Sequence, residues 1–258
     1  MPLSPENNQI PQTSIIMPAY NSGRWIEASI RSVLAQGDAN WELLIVDDGS
    51  TDNTAEIIAT LEDPRIHYFR HARNMGAAVA RNEALRRARG KYIAFLDSDD
   101  VWAPNKLEKQ IAFMEQNGYD FSYTAYRRTD KSLRISGPRH ITRAGMYAFC
   151  WPACQTVMYK RERIGLIQIS DLRKNNDYAM WLHAIEKADC YLLDEELMYY
   201  NKHKGSISDA KIYVLLKWHY RLWRQEMQYS PFMALVYTVI NAVSGLYKKI
   251  RYISPTPR

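Results

Sequence analysis

The sequence predicts an α/β fold with a mostly parallel, doubly wound central sheet, and three observations carry that prediction. Short runs of apolar strand formers alternate with segments of helical periodicity through the first 117 residues. The connections between them are short, as βαβ units require. Three of the runs stop abruptly at polar, turn-forming residues, two of them rich in carboxylates, where an open α/β sheet binds its ligand.

Residues 13–17 (TSIIM) form a β-branched strand that Pro18 is expected to end, and Ser22-Gly23 opens a helix carrying Trp25, Ile26, Ile30, Val33 and Leu34 at helical spacing. A second strand covers 42–46 (ELLIV). Asp47-Asp48-Gly49-Ser50 breaks it, and 51–61 reads as a helix. A weaker third strand, 65–69, leads through a basic loop, 70–73, to a helix over 76–89 that Gly90 terminates. The fourth run, 92–96 (YIAFL), delivers Asp97-Ser98-Asp99-Asp100 before a helix over 104–116. In the second half, strands are expected over 120–127 and 154–159, and a helix over 175–187 with Asp177 in its first turn.

The strand ends share a chemistry. Pro18, Ala19, Tyr20 and Asn21 follow the first strand, Asp47 and Asp48 the second, and Asp97, Ser98 and Asp99 the fourth. An aromatic ring there can stack on a base, and a carboxylate can accept from a nucleobase N–H or from ribose hydroxyls. Two carboxylates one residue apart repel unless a cation or donors compensate them, and hard oxygen ligands suit Mg²⁺ or Mn²⁺. Each end also has a plainer reading as turn and helix-capping chemistry. Helical spacing alone reads Arg81 as a surface residue.

The net charge of +6 is unevenly spread. Residues 211–258 hold eight Lys or Arg against one acid, Glu226, for +7, and the remaining 210 residues carry −1. An anionic surface is therefore expected to meet that end of the chain. Three cysteines, Cys150, Cys154 and Cys190, are an odd number in a long chain, which argues against a disulfide framework, and they read as buried, inert thiols. The first twelve residues have neither a basic n-region nor an apolar h-region, so they read as a disordered leader rather than a secretory signal.

The stretches PAYNSGRWIEASIRSVLAQ, ELLIVDDGSTDNTAEII, NMGAAVARNEALRRARGKYIAFLDSDDVWAPNKL and NNDYAMWLHAI together resemble the glycosyltransferases of family 2, which have the GT-A fold. The resemblance runs from Thr13 to about Ser208. It implies that Pro18, Ala19, Tyr20 and Asn21 hold the nucleoside with Asp48, that Arg81 is the family's arginine before the acidic strand, and that Asp97 and Asp99 are its D-x-D motif. One of those carboxylates would meet the ribose and the other the metal, beside Ser98. The family's Glu-Asp pair falls on Asn176-Asp177, so the aspartate base is retained and the glutamate is not. By the same resemblance His203, flanked by Lys202 and Lys204, would lie near the diphosphate or the metal.

The tail lies outside that resemblance. Ile212, Leu215, Leu216, Leu222, Trp223 and Met227 follow helical spacing, with Lys217, Arg221 and Arg224 opposite. Ser230-Pro231 then starts an apolar helix over 231–247, shorter than the ~20 residues of a membrane span. An in-plane helix anchored by Lys248, Lys249 and Arg251 is expected, with a hairpin packed on the catalytic domain or on another subunit as the alternative.

The resulting expectation is a leader over 1–12, a GT-A domain over 13–209 and a basic amphipathic helical tail over 210–258. The enzyme is expected to be an inverting, metal-dependent transferase moving a sugar from a nucleotide-sugar, a UDP-sugar above all, to a glycan or lipid-linked acceptor at the cytoplasmic face of the inner membrane. Two other classes fit the residues less well. A nicotinamide-dependent oxidoreductase needs G-x-G-x-x-G after the first strand, which Pro18-Ala19-Tyr20-Asn21 is not. A nucleic-acid-binding module would have to rest on the tail alone, whose cations accompany a long apolar run, so no nucleic-acid partner is expected.

Overall fold

A computed structural model describes residues 10–37, 40–169, 172, 174–201 and 212–256. In chain order its strands are β1 (Thr13–Ala19), β2 (Trp41–Asp47), β3 (Ile66–Arg70), β4 (Tyr92–Phe95), β5 (Val101–Trp102), β6 (Phe121–Arg128), β7 (Leu133–Ile135), β8 (His140–Ile141), β9 (Met158–Lys160), β10 (Cys190–Tyr200) and β11 (Ile253–Pro255). Its helices are α1 (Ile26–Leu34), α2 (Thr54–Ala59), α3 (Ala77–Arg87), α4 (Lys106–Asn117), α5 (Arg143–Ala148), α6 (Arg161–Ile164), α7 (Asn176–Ile185), α8 (Ile212–Arg221) and α9 (Pro231–Arg251).

Strand order is β11-β7-β6-β9-β4-β1-β2-β3. The four strands β4-β1-β2-β3 run parallel, as the βαβ repeat predicts, and β9 joins β4 to β6 antiparallel to both. β10 lies parallel to β6 and crosses antiparallel to β5, which ties the second half of the chain to the segment just after the acidic turn.

β1 and β2 are buried along their whole length, the mark of strands covered on both faces. On one face Ile15, Met17, Leu43, Ile45 and Ala94 pack against α1, α2 and α4. On the other, Ile16, Leu44, Val46 and Phe95 pack against α3, α7 and the last helices of the chain.

Pro18 does not end β1, as expected from sequence, but sits inside it opposite Val46. The parity of the ladder explains why. Ile16 O accepts from Leu96 N on the β4 side, so Pro18, two residues on, turns its missing N–H to that same side. β4 leaves β1 at Phe95, and no ladder bond is lost there.

The end of the chain is part of this core. α8 runs into a wider π-type turn, Leu222–Glu226, where Leu222 and Trp223 are fully buried with Ala234 of α9 in the cluster that also holds α7. Removing residues 211–258 would strip these side chains away, and losing the Trp223 side chain alone would cost about 3–5 kcal/mol. Lys248, expected to face a membrane, instead turns inward and donates to Trp151 O at 2.8 Å. No helix among the described residues is long and apolar enough to cross a membrane.

Candidate active site

Because β4, β1 and β2 are neighbours in that order, their carboxyl ends form one continuous rim, with Ala19 opposite Asp47 and Ile16 opposite Phe95. Asn21 takes a positive φ of 47°, which its short polar side chain tolerates, and its Oδ1 accepts from Thr51 N at 2.8 Å. That bond joins the β1 and β2 turns and leaves the Tyr20 ring about half exposed above them. Ser98 meets Ser22 hydroxyl to hydroxyl at 2.7 Å, joining the β4 turn to the same floor.

The two aspartates of β2 divide their work. Asp47 closes its own turn, with Oδ1 accepting from Ser50 N and Oδ2 from Tyr68 Oη, both at 2.8 Å. Asp48 gathers the loop that precedes α3: Oδ1 accepts from Met75 N at 2.9 Å and lies 2.8 Å from His71 Nδ1, and Oδ2 accepts from Gly76 N at 2.7 Å. Gly49 permits that closeness. It holds φ at +74°, and a Cβ there would come within 2.8 Å of the Arg73 backbone. Among the described residues Oδ2 of Asp48 accepts only the bond from Gly76 N.

Arg81 is buried, contrary to the reading from helical spacing. From α3 its guanidinium pairs with Asp97 and reaches 3.5 Å from Asn176 Oδ1 at the start of α7, so one cation spans three segments remote in sequence. Its Nε is buried without a partner among the described residues. The second oxygen of Asp97 accepts from Gln155 Nε2. Gln155 is held in turn by its own carbonyl, which accepts from Trp102 Nε1 at 3.0 Å.

Asp99 and Asp100 complete the acidic turn. Asp100 is fully buried, accepts from Asn201 N at 3.0 Å on Oδ1, and has no partner on Oδ2 among the described residues. Burial pushes its carboxyl well above the ordinary range, and the charges of Asp99 and Asp97 push further. Asp99 holds Asn201 through its backbone carbonyl, which accepts from Nδ2 at 3.2 Å. His203, Lys202 and Lys204 lie outside the described residues.

Asp177 occupies the first turn of α7, where its Oδ1 accepts from Tyr178 N at 2.8 Å. Burial raises its pKa above the ordinary 3.8, while the nearby Arg81 pulls it down and Asp97 adds to the rise. A carboxylate made more basic by burial, beside a buried cation and an acidic turn, is equipped to take a proton. Asn176, where the family has glutamate, faces Arg81 as a neutral acceptor.

Two residues of this site carried no signal in the sequence. Residues 154–156 form a 3-10 turn rather than the start of a strand, and that turn aims Gln155 at Asp97 and sets the Cys154 thiol within electrostatic reach of Arg81 and Asp177. The expected strand is confined to β9. All three cysteines are free, and burial raises each thiol well above its ordinary value, which leaves them unreactive.

The donor set fits a divalent ion. Both oxygens of Asp97 are engaged by Arg81 and Gln155, and among the described residues no three ligating side chains converge. Mg²⁺ typically takes only one or two carboxylates and completes its shell with phosphate oxygens and water. The turn's other carboxylates are Asp99 and Asp100, and Oδ2 of Asp100 is buried without a hydrogen-bond partner among the described residues.

The chain matches the family model described as glycosyl transferase family 2 over residues 14–172. It is 42% identical over 212 residues to the putative teichuronic acid biosynthesis glycosyltransferase TuaG of Bacillus subtilis (strain 168), covering 79% of this chain and 84% of that one. It is 40% identical over 212 residues to the Escherichia coli UDP-Glc:alpha-D-GlcNAc-diphosphoundecaprenol beta-1,3-glucosyltransferase WfaP, covering 79% and 82%. Among solved structures, S. aureus TarS 1–349 in complex with UDP-GlcNAc superposes with a TM-score of 0.70 at 20% identity, over 93% of this chain and 76% of that one, a likeness of fold. The motifs, the parallel sheet with its acidic rim and these relatives agree: the chain belongs to glycosyl transferase family 2 and is a glycosyltransferase with the GT-A fold.

Proposed function

We propose that the enzyme transfers a sugar, with inversion, from a UDP-sugar to a hydroxyl of a lipid-linked glycan at the cytoplasmic face of the inner membrane. One observation carries this reading above the others: Arg81 stands between the acidic turn and the start of α7, which supports a cation for the departing diphosphate and a base for the acceptor side by side.

The uridine lies along the rim, its base against Tyr20 and within reach of Oδ2 of Asp48, with Pro18, Ala19 and Asn21 shaping the turn. Ser98 and the acidic turn meet the ribose and diphosphate. A divalent ion, Mg²⁺ or Mn²⁺, held by Asp99 and helped by Asp97, would neutralise charge on the diphosphate as it leaves. Arg81 adds a fixed positive charge with donors to spare, preorganised by Asp97. Asp177 takes the proton of the acceptor hydroxyl as that oxygen attacks the anomeric carbon on the face opposite the leaving group, which inverts the configuration. His203 belongs to the same reading as a further ligand near the diphosphate. The name of the E. coli relative, with its UDP-Glc donor and diphosphoundecaprenol acceptor, supports both substrate classes.

A thermal-shift screen of nucleotide-sugars with Mg²⁺ or Mn²⁺ tests the donor. UDP-sugars are expected to raise the melting temperature in the presence of metal and far less with chelator, and transfer to a lipid-diphosphate glycan should follow the same donor. Stabilisation by GDP- or CMP-sugars alone would overturn the assignment of uridine.

A further inference from the structure

α9 is amphipathic the wrong way round for a helix that merely packs on its own domain. Its inner face is mostly small and polar, with Tyr237 stacked on Trp223. Ala234, Thr238 and Asn241 are buried, and Asn241 is fully bonded: Oδ1 accepts from Trp223 Nε1 at 2.9 Å, and Nδ2 donates to Tyr147 O and Ala148 O at 3.0 and 2.8 Å. Further along, the backbone at Gly245 approaches so closely that a Cβ would come within 3.0 Å of the Phe149 ring.

The opposite face is apolar and in solvent. Phe232, Leu235, Val239, Val243, Leu246 and Ile250 recur at three- and four-residue intervals, which makes one stripe along the helix. Phe232 is 72% exposed, Val243 64% and Ile250 77%. At about 100° per residue, Lys249 and Arg251 fall roughly a quarter turn to either side of that stripe, and both are exposed. Lys217 and Arg224 are exposed on the adjoining segment. Glu226, the single acid of residues 211–258, is spent inward, with Oε1 2.8 Å from His183 Nε2 of α7.

We infer that the outward face of α9 is a docking surface for an anionic lipid bilayer, with the helix lying in the plane of the interface. The stripe enters the boundary between headgroups and acyl chains, and the flanking cations meet lipid phosphates. Charge selects this occupant over a second copy of the chain, because self-association would bring two tails of +7 together whereas an anionic bilayer complements them. Insertion across the membrane is a different matter, since no described helix is long and apolar enough for it. The inner face meets α7 at Asn241, whose Nδ2 lies 3.3 Å from Tyr178 Oη, so the bilayer-facing helix touches the helix that carries Asp177. This inference deepens the lipid-linked acceptor reading, but it is tested without donor or acceptor.

The test is co-sedimentation of the full chain with phosphatidylcholine vesicles, with and without phosphatidylglycerol. The parent is expected to pellet with the anionic vesicles and to be released by salt. Val239→Glu with Val243→Glu should lower that partition about ten-fold or more, with the melting temperature unchanged because both side chains are in solvent. Lys249→Glu with Arg251→Glu should remove the preference for phosphatidylglycerol. A folded full chain that stays in the supernatant, or a Val239→Glu, Val243→Glu chain that pellets like the parent, overturns the inference. A dimer that this pair of substitutions dissociates, without vesicle binding, overturns it in favour of a second copy. UDP binding measured on the same samples keeps either outcome separate from the fate of the transferase reading.

Discussion

Asp177→Asn is expected to lower sugar transfer by about 10²–10⁴-fold, the usual contribution of a positioned general base, while UDP affinity stays at the parent's value. Asparagine keeps the size and the helix-start acceptor that Tyr178 N uses, and loses only basicity. The pH dependence has a definite sign. Burial raises the Asp177 carboxyl above its ordinary 3.8, so the parent's rate should fall as pH drops through that raised value, and the variant should lack that limb. Stability moves the other way. A carboxyl whose folded pKa is raised favours the fold when protonated and costs stability once ionised above the raised value, so at neutral pH the variant should melt no lower than the parent. Transfer within a few-fold of the parent would make Asp177 a helix-start residue only. Glu195 and Glu196 are poor replacements, being paired with Lys109 and with Arg127 and Arg134.

Asp99→Asn is expected to cost about 10²–10³-fold in transfer, comparable to removing one preorganised stabiliser of transition-state charge, and to weaken UDP-sugar binding as well. Chelation of divalent ions should produce the same loss in the parent, and excess Mn²⁺ should restore the parent but not the variant. Asp99 is the cleaner probe of the acidic turn, because Asp97→Asn would also release Arg81 and Gln155 from the carboxylate that positions them. An enzyme fully active in chelator, or an Asp99→Asn chain with parental activity, would refute the metal role.

The first half of the fold was legible because β1, β2 and β4 are continuous apolar runs closed by turn residues, and the carboxylates that follow β2 and β4 fall at the strand ends where a parallel sheet binds its ligand. β10 was not. Its eleven residues include Glu195 and Glu196, which are stabilised by ion pairs rather than by alternation, and two register shifts break the period of two. Arg81 was legible as a site residue only through the resemblance, since periodicity places a charged helix residue on the surface and cannot see Asp97 arriving from β4. Gln155 was hidden by its turn, because CQTVMY reads as a strand until the 3-10 geometry is known. The tail's cations were legible as charge but not as direction: Lys248 turns inward to Trp151 O while Lys249 faces solvent.

The central claim is that the rim of β1, β2 and β4 holds the nucleotide while α7 presents the base. It is tested most directly by a crystal structure of the protein soaked with UDP and Mn²⁺. The account predicts the uracil ring at Tyr20 and Asp48, the diphosphate between Arg81 and a metal on Asp99, and Asp177 facing the open side of the β-phosphate with no metal bound to it. A nucleotide seated elsewhere, or a diphosphate held without Arg81 and Asp99, would contradict it.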